Sequence, residues 1–307
     1  MAKMAFEKMD DATTFRMMAA IFATMGSALL LSSRLLTKTK RRAKRPAGVA
    51  SNVSKREGER WSLGLAALWI SAVVVVIVTQ AYEWWGSSGY MAIGLFCALP
   101  YVSLPYLMPS AQESEIPWRE RYITKANVWV AIFSFIGNYW YTHYFYRVLK
   151  AKYTFEAYRL NDVPLCLYLM THAYFMFYHA LSNWVIRLIR DTYKEDACRR
   201  VFEWATIAAM SYATAFGEAL TICAFPYYSF EDRNQAYVLG SAFYGIYFLV
   251  SYPAFFALDE AKTGGKQPRG GHTMMETVCS SLASGMAVLC LLDFVRLWLG
   301  VELFAPY

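Results

Sequence analysis

The sequence predicts an all-α, polytopic bundle of about seven membrane-spanning helices, and three observations carry that expectation. Hydrophobic residues make up 57% of the 307-residue chain and charged residues only 17%, against about 25% charged in a soluble domain. The apolar residues fall in blocks of about 20, the length one helix needs to cross about 30 Å of hydrocarbon. The net charge is +7, and its excess gathers largely between Arg34 and Arg60, as in a juxtamembrane flank rather than a nucleic-acid-binding face. Membrane lipid is therefore the expected surroundings, and no nucleic-acid partner is expected.

The expected spans, in order, are Trp61 to Tyr82, Tyr90 to Met108, Ala126 to Val148, Val163 to Ile189, Val201 to Phe225, Ala236 to Leu258 and Met275 to Leu299. Ahead of them, Met17 to Ser33 is apolar but short, and Arg16 and a basic run from Lys38 to Arg45 flank it. It reads as an eighth span, a signal anchor or a targeting peptide. Residues 1–53 thus form an N-terminal extension with a short apolar segment and a basic linker, and residues 54–307 the transmembrane domain.

With the Arg34 to Arg60 flank taken as cytosolic, the connections on its side carry 21 Lys and Arg and those on the other side 5. That asymmetry fits seven helices with a lumenal C-terminus, the Arg147 to Arg159 loop being the exception. There is no internal repeat, so a transporter built from duplicated halves gains no support. Of six cysteines, five lie in apolar blocks and Cys198 sits alone in a polar stretch, with no C-x-x-C pair. Neither a disulfide framework nor a zinc site is implied.

Ionisable side chains at membrane depth cost at least about 2.5 kcal/mol each on insertion scales, so they should face the interior. Glu218 has no basic residue within two turns of its helix. Alone in an apolar bundle it is expected as the neutral acid, because desolvation disfavours the anion. It is then either a proton donor or a structural hydrogen bond to another helix. Ser211 and Thr214 precede it on the same face and are expected to line a common cavity. Glu203, a turn from its helix start, is explained by interfacial solvation.

On the fourth span His172, His179 and Asn183 form one stripe with Phe175 between them,. The stripe reads as a proton relay or the polar floor of a pocket, or equally as a set of interhelical hydrogen bonds. His143 on the third span could converge with them. A chain with four histidines has no room for the multi-histidine boxes of di-iron membrane desaturases, and no metal is assigned. The third span also carries Asn127, Ser134 and Asn138 on one face, followed by the aromatic run Tyr139 to Tyr146. Part of that run is an interfacial belt, and part can turn inward, where ring faces stabilise a cation by about 0.5–2 kcal/mol. Such an interior suits a large, nearly apolar ligand and acid chemistry through a carbocation. Composition leaves enzyme, receptor and channel open.

From about Ser54 to Gly300 the chain resembles the cycloeucalenol cycloisomerase family of plants and algae. The strings that carry the resemblance run from Gly137-Asn-Tyr-Trp-Tyr-Thr-His143-Tyr-Phe with Tyr153-Thr-Phe155, through Asn161-Asp-Val-Pro164, Thr171-His172 and Phe177-Tyr-His179 with Ser182-Asn183. They continue with Phe225-Pro-Tyr-Tyr228, Asp232-Arg233, Phe243-Tyr244 and Asp259-Glu260. The resemblance implies a multi-pass sterol isomerase of the endoplasmic reticulum that opens the 9β,19-cyclopropane ring of cycloeucalenol to give obtusifoliol. A proton goes to C19, positive charge forms at C9, and the C8 proton leaves to place the 8,9 double bond. The reaction is redox-neutral, so no cofactor is expected.

For that chemistry, placement in the chain nominates Glu218 as acid and His172 or His179 as base or relay, with His143 beside them. Tyr141, Trp140 and Tyr244 are candidates to shield the C9 cation, Asn138 or Asn183 to hold the sterol 3-hydroxyl, and Thr214 to line the pocket. The competing readings are another membrane sterol isomerase that moves a ring double bond, and a non-catalytic seven-helix receptor. The last span has no lysine to hold retinal, which removes the rhodopsin version of the second.

Overall fold

The computed structural model describes residues 11–39, 46–140, 151–230, 233–260 and 271–298. Eight long helices dominate them: α1 (Asp11–Leu35), α2 (Val53–Thr79), α3 (Ser87–Leu107), α4 (Tyr122–Trp140), α5 (Leu165–Thr192), α6 (Ala197–Ala224), α7 (Ser241–Ala257) and α8 (Met274–Trp298). Each of the seven expected blocks corresponds to a helix, with ends that differ by a few residues, Val163–Pro164 being strand rather than helix, and the short N-terminal stretch lies within α1. Among the described residues six segments are long and apolar enough to cross a membrane by length and composition: α1, α2, α3, α6, most of α8 and the run Ala236–Ala257 that contains α7.

The remaining two, α4 and α5, are the more polar because they are the inner helices. α5 packs against α2, α3, α4, α6 and α7, so side chains that would be exposed to lipid elsewhere meet protein here. α1 lies on α6, with Phe22 against the rings of Tyr212 and Phe216 at 5.6 and 5.1 Å.

Two short antiparallel ladders interrupt the helices, which the all-α expectation did not include. β1 (Ala151–Tyr153) pairs with β4 (Tyr228–Phe230), and β2 (Arg159–Leu160) pairs with β3 (Val163–Pro164). Between β2 and β3, Asn161 and Asp162 take positive φ of 51° and 61°, the left-handed region that Asn and Asp tolerate in tight hairpins. The Arg159 guanidinium pins this connection by donating to the carbonyls of Tyr153, Phe155 and Asp162.

One end of the bundle is ionic. Arg187 on α5 donates to both Glu59 on α2 and Glu260 after α7, each at 2.8 Å through Nη2. Lys55 on α2 pairs with Glu260 at 2.9 Å, and Lys125 on α4 with Asp259 at 2.6 Å. Lys55 Nζ also donates to the carbonyls of Phe256 and Leu258, both at 2.7 Å. It thereby satisfies acceptors that the end of α7 leaves free and sets a cation at its negative pole. Burial works to raise the Asp259 carboxyl, but hydrogen bonds from His272 and Lys125 and the Lys125 charge outweigh it and hold the group below the usual range.

These charges come from connections that the Lys and Arg asymmetry assigns to a single side, and the structure gathers them at one end. The Thr37–Thr39 segment joins them there, bonded to the backbone of Thr192 and Lys194 at the end of α5.

Candidate active site

At the other end, where α2 and α6 finish and α5 begins, the helices enclose a cavity of about 450 Å³. That volume lies within the range of small-molecule sites, about 300–1,000 Å³. Its walls are aromatic and aliphatic. Trp69 and Val73 come from α2, Ile93 from α3, Met170, Tyr174 and Tyr178 from α5, and Tyr244 and Tyr247 from α7. Tyr153, Phe155, Tyr228 and Phe230, held by the β1–β4 ladder and its flanks, close the end. Gly137 on α4 permits this packing, because a Cβ there would collide with the Tyr247 hydroxyl, which itself donates to the Phe133 carbonyl at 3.1 Å.

Among the described residues lining this cavity, Glu218 is the one Asp, Glu, Lys, Arg or His. The phenols of Tyr244 and Tyr178 face its carboxyl, and its buried Oε1 has no hydrogen-bond partner among the described residues. A carboxyl so placed, with one oxygen free towards an apolar cavity, can hand a proton to a bound hydrocarbon.

The sequence-predicted site residues separate into those at the cavity and those away from it. Asn138 and Tyr244 line it with Glu218, and the Asn138 amide donates to the Ser134 carbonyl at 2.9 Å. Thr214 bonds Tyr252 at 2.7 Å instead, and Ser211 bonds back to the Ile207 carbonyl at 2.8 Å, so neither faces the cavity. Trp140 is half exposed and does not line it. Tyr141 and His143 lie outside the described residues.

The α5 stripe is a polar seam behind the cavity wall. His172 Nε2 meets Asn127 Oδ1 at 2.8 Å. Both ring nitrogens of the fully buried His179 are engaged, with the Phe175 carbonyl at 2.8 Å and Ser251 Oγ at 2.9 Å. Asn183 belongs to the ionic end, donating to Glu59 at 3.0 Å and to the Tyr122 hydroxyl at 3.2 Å. Glu203, read as interfacial, forms a two-point pair with Arg190. Of the stripe only Phe175 reaches the cavity, which otherwise faces the neighbouring strip Leu167, Met170, Thr171, Tyr174 and Tyr178. Successive residues turn by about 100° around a helix, so the strip one position away from the histidines is the one that looks inward.

Tyr174, Tyr178, Trp69 and Tyr228 are cavity residues that the sequence reading missed. The signal was the spacing of Tyr174 and Tyr178, four apart on α5,. Among the described residues no three His, Cys, Asp or Glu side chains gather as a metal site would require.

The chain is 37% identical over 255 residues to the cycloeucalenol cycloisomerase of Arabidopsis thaliana, an alignment covering 82% of this chain and 89% of that protein. No protein-family model matches the chain, and no solved structure matches it.

Proposed function

The chain belongs to the cycloeucalenol cycloisomerase family, and on that premise we propose that it opens the 9β,19-cyclopropane ring of cycloeucalenol to give obtusifoliol, in the endoplasmic reticulum membrane. The observation that carries this reading is the carboxyl of Glu218, the one charged group among the described residues of an aromatic cavity.

Glu218 gives its proton to C19 as the C9–C19 bond supplies the electron pair, leaving the cation at C9. The C8–H pair then forms the 8,9 double bond, and the released proton returns to the Glu218 carboxylate, with the phenols of Tyr178 and Tyr244 beside it. One proton enters and one leaves, and no electrons are gained or lost, so the chemistry calls for no redox cofactor. The faces of Tyr174, Tyr178 and Tyr244 stabilise the C9 cation, an effect of about 0.5–2 kcal/mol for a ring–cation contact. Asn138 is placed to hold the 3-hydroxyl. In this scheme His172 and His179 fix α5 against α4 and α7 and leave proton transfer to Glu218.

Membranes carrying the protein, given cycloeucalenol without added cofactor, should yield obtusifoliol by gas chromatography and mass spectrometry. A product with a double bond elsewhere would assign the chain to another sterol isomerase class. Unchanged sterol, with the protein shown to be folded, would replace catalysis with sterol binding alone.

A further inference from the structure

An enzyme whose substrate dissolves in the bilayer needs a way in, and one flank of the cavity is lined by residues that are themselves accessible. Ile77 near the end of α2 and Thr221 near the end of α6 both line the cavity, and both are solvent-accessible, Ile77 to 52%. The two helices are not packing partners of one another. α2 is held by α3, α4 and α5, and α6 by α1, α5 and α7.

Above this seam the chain closes. Tyr82, in the turn after α2, sets its ring against Phe225 and Tyr227, in the turn after α6, at 4.9 and 5.9 Å. That aromatic lintel blocks the direct line from the loops, while the surface beside the seam is apolar, with Val74, Val75 and Val78 on α2 and Leu220 on α6 all exposed. Glu218 sits one turn before Thr221 on α6, and the Thr221 hydroxyl bonds the Glu218 carbonyl at 2.8 Å. The seam therefore leads from lipid to the acid by a path of about one helical turn.

We propose that the sterol enters and leaves the cavity sideways from the bilayer, between the ends of α2 and α6 and beneath the Tyr82–Phe225–Tyr227 lintel, with Ile77 and Thr221 as the sides of the portal. The opening lies in the leaflet remote from the ionic end. This inference rests on the sterol-isomerase reading and adds the route by which that site is filled.

The test follows transfer of a fluorescent sterol from phosphatidylcholine vesicles to the full-length protein in a second set of vesicles, by energy transfer from tryptophan. Ile77→Phe and Thr221→Leu each narrow the seam and should slow association and dissociation about tenfold while shifting the affinity little. Ile77→Ala should speed both. Val78→Phe and Leu220→Phe lie on the same lipid-facing surface but do not line the cavity, and should exchange sterol at the wild-type rate. Wild-type rates in both narrowing variants, or equal slowing in the two control variants, would overturn the portal and leave the catalytic reading standing. A wild-type protein that takes up no sterol would overturn both.

Discussion

The two ends of the bundle solve opposite problems with similar residues. The ionic end buries Lys55, Glu59, Lys125, Arg187 and Asp259 beside the half-buried Glu260, and each of these charges has a counter-charge within hydrogen-bonding distance. Among the described residues that line the cavity, Glu218 is the one carboxyl, with phenols beside it and no lysine or arginine. Paired charges lock helices, because removing either partner strands the other in low dielectric. An unpaired carboxyl locks nothing and is free to move a proton. On the proposed reading, stability and chemistry fall at different ends of the same α2, α4 and α5.

The largest effect that would break this division is at Glu218. Glu218→Gln keeps shape and polarity but has no transferable proton, and turnover should fall by a factor of about 10²–10⁴, the usual contribution of a positioned acid. Sterol binding and thermal unfolding of the variant should stay near wild type, as read by vesicle transfer and by a melting curve in detergent.

Next in size is Arg187→Met, which removes the two-point partner of Glu59 and leaves Glu260 with Lys55 alone. A buried pair broken on one side costs about 3–5 kcal/mol, so the melting temperature should drop sharply while turnover per folded molecule is kept. His179→Phe removes the partner of Ser251 and of the Phe175 carbonyl, at a cost of about 1–3 kcal/mol. Its turnover, corrected for folded protein, should be unchanged, whereas loss of turnover in a well-folded variant would return the base role to this histidine.

The smallest effect sharpens the comparison by pH. Asp259 is held below its ordinary value of 3.8 in the folded chain, so its contribution is complete above that value and is lost as pH falls through the lower, folded one. Melting temperature measured down an acid titration should decline there, and Asp259→Asn should flatten that limb.

How much of this was legible in the sequence differs between the ends. Glu218 stood out because a lone carboxyl in an apolar run has few explanations. The rings around it did not, since Tyr and Trp also mark membrane interfaces and sequence does not say which way a ring points. The histidine stripe drew attention by its chemistry, yet the cavity took the neighbouring strip of α5, and a one-residue offset decides that choice. The ionic end was hidden by the apolar blocks themselves. They place the start of the first span at Trp61, whereas α2 begins at Val53 and carries Lys55 and Glu59 into the interior. Pairing of α2 with residues near Arg187 and Glu260 is long-range, and local hydropathy holds no trace of it.

The most direct test of this division is cycloeucalenol turnover per folded molecule in Glu218→Gln and Arg187→Met, assayed side by side against the wild type. The account predicts a stable, inactive Glu218 variant and an unstable Arg187 variant that turns over normally while folded. A Glu218→Gln protein that forms obtusifoliol at the wild-type rate would contradict it.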